Sequence, residues 1–312
     1  MVENTYSPAP WAAQSSVSDP GDLASLLDEV PGDIAAIRAV SQNLVVHYTG
    51  ATDGSFVPIR GARLGEVDLR YAEAMLRRLK DLGDGRVLGP RPLDQRVVGC
   101  CRDFSLLFVA LARLKGIPAR LRMGYATYFR TGWYLDHVIV EAWDGRESRW
   151  RLVEPEVADG YLRDGAAGGP FDPLDVPPDR FVTGPRAWLA ARAGDLDPER
   201  CVVSPDVEEP YTRAWPSLRH HVVQDLMALA KVEMILWDEW GILQDPDVLA
   251  GGALLDEVAR ATQDPLCPAQ TLAMLAREPA LRVPGRVTSY SPAWQGPREV
   301  DVERSLGGRI EA

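Results

Sequence analysis

The stretch GCCRDFSLLFVALARLKGIPAR (residues 99–120), followed by LDHVIVEAW (135–143) and RWRLVEP (149–155), decides the fold. From Cys101 to about Lys115 the first part is apolar on most sides, which predicts a buried central helix. Gly116 stops it, and Pro118 forbids its continuation. The period then changes. Ala119 to Phe129, Asp136 to Trp143 and Arg149 to Val153 are rich in β-branched and aromatic residues and predict three strands. The turn pair Asp144-Gly145 predicts that the second and third form an antiparallel hairpin.

Outward from this core, Ile34 to Tyr48 carries apolar residues at helical spacing, with Asp33 placed to cap. A second helix is expected after Asp68, ending at Gly83. Residues 1 to about 30 are polar and proline-punctuated and predict a loose arm. Ala158 to Pro216 predicts a long loop with a helical piece around Trp188. An amphipathic helix is expected from Ser217 to Trp240 and another near Leu254. The expected division is an arm (1–30), one domain (31–265) with a helical extension from about 217, and an extended C-terminal tail (266–312).

Composition sets outer limits. The chain has 312 residues, 46% hydrophobic and 25% charged, which excludes disordered and collagen-like classes. Only 4 cysteines exclude a disulfide framework, and adjacent Cys100 and Cys101 cannot bridge without strain. With 34 Lys and Arg against 45 Asp and Glu, the net charge of −11 argues against nucleic-acid and anionic-membrane partners. The first residues lack a basic and an apolar signal region, and no run approaches the roughly 20 apolar residues of a spanning helix. The expected location is therefore cytoplasmic, with reduced thiols.

The chemistry concentrates between Val97 and Pro155. A cysteine at a helix N-terminus faces the positive end of the helix dipole, which favours thiolate. His137 on a neighbouring strand can take the thiol proton. Glu154 at the end of the next strand can fix the imidazole, since paired strands lie about 4.8 Å apart. Each residue alone has a plainer reading, as a packed thiol, a core histidine or a solvated strand end. Their joint placement favours nucleophilic catalysis.

The succession C-R-D-F, apolar helix, G-I-P-A-R, D-H and W-x-L-V-E-P resembles the transglutaminase-like superfamily. The resemblance extends through Phe171 to Pro177, Gln224 to Glu233 and Trp237 to Gly241, covering roughly residues 30 to 245. It implies an α+β, papain-like core, with a central helix packed on an antiparallel sheet and a C-terminal helical extension. It also implies a Cys-His-acid triad: Cys101 as nucleophile, His137 as base and Glu154 where the related bacterial subgroup usually has Asp. Cys100 then reads as packing.

The expected reaction is thiol-dependent acyl transfer through an acyl-enzyme, on a peptide, amide or acyl-thioester substrate that a carrier protein could present. The alternative is a non-catalytic peptide- or partner-binding protein on the same fold. The oxyanion is expected to meet the Cys101 N–H, with Gln95 as a candidate second donor. Tyr128, Trp133 and Tyr134 are candidate substrate-binding residues. No cofactor or metal is expected: His220-His221 lacks the i, i+4 spacing of a helical zinc pair, and Cys201 and Cys267 lack CxxC partners. Arg102 and Arg120 are expected in salt bridges, and Trp237 to Trp240 in packing.

Overall fold

A computed structural model describes residues 6–50, 61–249 and 251–302. In chain order the elements are α1 (Ile34–Leu44), β1 (Val45–His47), α2 (Ala72–Leu82), β2 (Val97–Gly99), α3 (Cys101–Leu114), β3 (Ala119–Ala126), β4 (Tyr134–Asp144) and β5 (Arg149–Val153). They continue with α4 (Asp159–Asp164), β6 (Phe181–Thr183), α5 (Gly184–Ala193), β7 (Cys201–Val202), α6 (Ala214–Leu229) and β8 (Asp238–Glu239). The last are α7 (Gly252–Gln263), α8 (Ala269–Leu275), β9 (Arg286–Ser289) and β10 (Arg298–Asp301).

The fold is α+β. An antiparallel sheet runs β5-β4-β3-β6, and β7 pairs in parallel with the start of β4. The β4–β5 hairpin turns after Asp144, with Trp143 opposite Trp150. Gly124 pairs with both His137 and Thr183, and a Cβ there would drive into the Val182 carbonyl, so only glycine lets β6 close on β3.

Helix α3 is the central helix. Its Phe104, Phe108 and Leu111 share one core with Leu121, Met123, Val138 and Val140 of the sheet. Each such fully buried side chain contributes about 1.5–3 kcal/mol. The Ser105 hydroxyl donates to the Val138 carbonyl at 2.9 Å, which ties the helix to β4. A second core gathers Trp188, Leu218, Val222, Leu226, Leu255 and Val258 from α5, α6 and α7. Between β3 and α6, Arg122 donates through Nε and Nη2 to the Asp225 carboxylate, each at 3.0 Å. In parallel pairing, β1 and β2 set His47 opposite Gly99, beside the start of α3.

Several expectations need correction. The N-terminal segment from residue 6 to 30 is packed rather than loose, while 1–5 lie outside the described residues. Trp11 is buried and donates from Nε1 to the Leu229 carbonyl at 2.9 Å, and the Ser15 hydroxyl donates to Glu233. Indole burial and a buried carboxylate partner outweigh the polar composition. The helix expected to reach Trp240 ends at Leu229, because Lys231 adopts a left-handed φ of 67° and the chain turns. Glu233 then meets Arg113 at 2.8 Å, and Asp238 meets Arg70 at 2.7 Å. From 266 to 302 the C-terminal stretch is not simply extended, since it forms α8 and the β9–β10 pair; 303–312 lie outside the described residues. No helix among the described residues is long and apolar enough to cross a membrane.

Candidate active site

The start of α3 is set by Asp103, whose Oδ2 accepts the Cys100 N–H at 2.8 Å. A Cβ on Gly99 would lie 2.6 Å from that same oxygen, so the glycine makes room for the cap. Cys101 therefore occupies the first turn, almost fully buried. Its Sγ, a ring nitrogen of His137 and a carboxylate oxygen of Glu156 all lie within 4.8 Å of one another.

His137 Nε2 stands 2.8 Å from Glu154 Oε2. The Tyr128 hydroxyl donates to the same oxygen. Glu154 Oε1 accepts the backbone N–H groups of Glu156 (2.8 Å) and Val157 (3.0 Å). Arg38 fastens the whole turn, donating at 2.6 Å to the carbonyls of Glu154 and Val157 and to Asp159. With Nε2 engaged, His137 has Nδ1 left for a partner in the cavity. Its ring stands edge-on to Phe129, with centroids 5.1 Å apart.

Charges follow from these contacts. Burial alone would push Glu154 up, yet the His137 charge and four hydrogen bonds hold it down at about 2. Burial would lower His137, but the Glu154 charge and hydrogen bond raise it above the ordinary imidazole value. Glu156 is pushed up to about 8 by burial. The expectation of a thiolate from the helix dipole meets opposition. A hydrogen bond with Cys100, then burial, then the charges of Cys100, Asp136 and Glu156 push the Cys101 thiol well up. The resting side chain is therefore a thiol.

Cys101, His137 and Glu156 line a cavity of about 970 Å³, together with Phe129, Leu135 and Tyr161. All four histidines of the chain, His47, His137, His220 and His221, reach its wall. Asp136 Oδ1 lies 2.8 Å from His221 Nε2, and the His221 ring stacks on Tyr125 with centroids 4.4 Å apart. Burial holds both His47 and His220 down at about 4.

The structure therefore brings Cys101, His137 and Glu154 together. It places the other named residues elsewhere. Gln95 does not line the cavity; its side chain lies over Gly83, where an added Cβ would meet Oε1 at 2.9 Å. Tyr128 is buried behind Glu154 and supports the carboxylate instead of lining the cavity. Trp133 lies under the Arg200 guanidinium at 5.1 Å, and Tyr134 packs on the second core. Trp237, expected only to pack, does line the cavity, whereas Trp240 is buried with its Nε1 donating to the Leu281 carbonyl. Arg102 and Arg120 meet Asp103 and Glu141, as salt bridges. Glu156 was not singled out from the sequence; its signal is the second acid of the tripeptide Glu154-Pro155-Glu156.

Comparison with curated proteins finds no match. Among solved structures, one from Cytophaga hutchinsonii, described as a candidate cysteine protease, aligns at 19% identity with a TM-score of 0.32. The alignment covers 56% of this chain, which thereby spans 44% of that protein. The family comparison is more local: residues 84–155, from the turn after α2 to the proline after Glu154, match the transglutaminase-like superfamily.

Proposed function

We propose that this chain is a cysteine-dependent acyl-transfer enzyme, with Cys101 as nucleophile, His137 as base and Glu154 as the residue that orients the imidazole. The observation that carries the reading is the clustering of the Cys101 sulfur and a His137 ring nitrogen within 4.8 Å at a cavity wall, with Glu154 Oε2 2.8 Å from His137 Nε2. On substrate binding, His137 takes the thiol proton, and Cys101 sulfur attacks the carbonyl carbon of an amide or thioester. The carbonyl π electrons move to oxygen, next to the N–H groups at the start of α3. On collapse, imidazolium returns the proton to the departing amine or thiol, leaving a thioester on Cys101. Water or an amine, deprotonated by His137, then releases the acyl group.

The cavity wall carries Asp136, Asp206, Glu209 and Glu239 against Arg130, a setting that suits a positively charged amine as second substrate. The substrate class remains a peptide, amide or acyl thioester, the last on a carrier protein. Four unpaired, buried cysteines fit action in a reducing, cytoplasmic compartment. A second reading, a partner-binding protein on this fold, is favoured by the burial and raised pKa of Cys101.

Thiol reactivity separates them. Iodoacetamide near neutral pH should label Cys101 ahead of Cys201, and His137→Ala should slow that labelling by on the order of a hundredfold. Acyl donors should add one acyl mass to Cys101, and Cys101→Ala should abolish the adduct. Labelling of Cys101 no faster than Cys201, in both wild type and His137→Ala, would mean a binding protein.

A further inference from the structure

We propose that Cys101, His137 and Glu156 together form a zinc-binding site, and that zinc bound there masks the thiol. The three donor atoms already lie within 4.8 Å of one another. Donors around a tetrahedral zinc, each about 2.0–2.3 Å from the ion, stand roughly 3–4 Å apart, so small side-chain rotations close the set. The donors are a thiol sulfur, an imidazole nitrogen and a carboxylate oxygen, a combination that favours zinc over magnesium or calcium.

Two further observations point to a ligand. Glu156 Oε2 is buried without a hydrogen-bond partner, although the backbone around it is held by Glu154 and Arg38. A buried carboxylate oxygen left unpaired is costly, and a cation would satisfy it. Then there is the outer shell: Glu154 engages His137 Nε2, which fixes the ring and leaves Nδ1 as the nitrogen available to a metal. Carboxylate to histidine to metal is the usual support for an imidazole ligand. Three protein donors leave a fourth position facing the cavity, free for water or a ligand.

Binding would release the Cys101 proton to solvent and place the sulfur lone pair in a metal bond. Neither the nucleophile nor the base would then be available, so zinc would act as a reversible off switch. That consequence rests on the acyl-transfer reading; the metal site itself does not.

The test uses the full chain, stripped with chelator and titrated with zinc against a chromophoric chelator, and separately with cobalt(II). The expected result is one zinc per chain at micromolar affinity or tighter. Cobalt should give a thiolate charge-transfer band, absent in Cys101→Ser. Glu156→Gln, with its fold checked by circular dichroism, should weaken zinc binding by about tenfold or more, and Glu154→Gln by 10–100-fold, as loss of an outer-shell partner does. No stoichiometric binding, or binding unchanged in Cys101→Ser and Glu156→Gln, overturns the site. Iodoacetamide labelling in chelator separates the two ideas. Fast labelling without zinc binding leaves the acyl-transfer reading standing alone. Zinc binding with an inert thiol in chelator keeps the metal site and removes the enzyme.

Discussion

Glu154 uses both of its oxygens, one for side chains and one for the backbone. Oε2 meets His137 and Tyr128, while Oε1 holds the N–H groups of Glu156 and Val157. Val140 opposes Val153, so Glu154 lies diagonal to His137 across the hairpin instead of directly opposite it. A diagonal neighbour is about 7–8 Å away between backbones, a gap that the longer glutamate spans. Neutralising this group in place should separate position from charge. Glu154→Gln is expected to fold and to lower turnover by about 10²–10⁴, measured as the rate of acyl-adduct formation, because the amide cannot stabilise an imidazolium. Turnover equal to wild type would remove Glu154 from the machinery.

At the scale of elements, the helix and the strands around the site were legible because each carries its own local signal. The apolar stretch before Gly116-Ile117-Pro118 marked α3, and the Asp144-Gly145 pair marked the β4–β5 hairpin. What stayed hidden depends on contacts distant in sequence. Nothing local to Lys231 announces that α6 stops short of it; the turn serves ion pairs between Glu233 and Arg113 and between Asp238 and Arg70. Nor does Gln95 reveal by position that it folds back over Gly83. Glu141 is another such long-range group, since it joins Arg120 at 2.6 Å and Arg122 at 2.7 Å, all three buried. Burial opposes its charge, but the two guanidinium groups hold its pKa below the ordinary value. A depressed carboxylate contributes stability above its unfolded pKa and loses it as pH falls through the folded value. Glu141→Gln should therefore cost about 3–5 kcal/mol at pH 7 in urea denaturation, and the deficit should shrink as pH falls below about 4. A deficit independent of pH would show that shape, not charge, matters there.

Across the whole molecule, the sheet separates a core built on α3 from one built on α5, α6 and α7, and the N-terminal segment crosses between them. Trp11 belongs to the second core, and its ring with that of Trp150 encloses the Arg120 guanidinium, at 4.6 and 4.1 Å from the ring centroids. Trp11→Ala should thus cost about 3–5 kcal/mol, read as a lower urea midpoint with an unchanged slope. A change under 1 kcal/mol would mean that this segment merely rests on the surface.

The four histidines that share the cavity wall have a spectroscopic consequence. Histidine is the side chain that ordinarily changes charge between about pH 5 and 8. With His47 and His220 held near 4, those two stay neutral through that window. Every imidazole signal from ¹⁵N-histidine-labelled protein would come from a residue that lines this one cavity. A single inexpensive isotope label therefore turns the whole chain into a selective magnetic-resonance reporter of whatever enters, with two ring nitrogens on each of four histidines viewing one visitor.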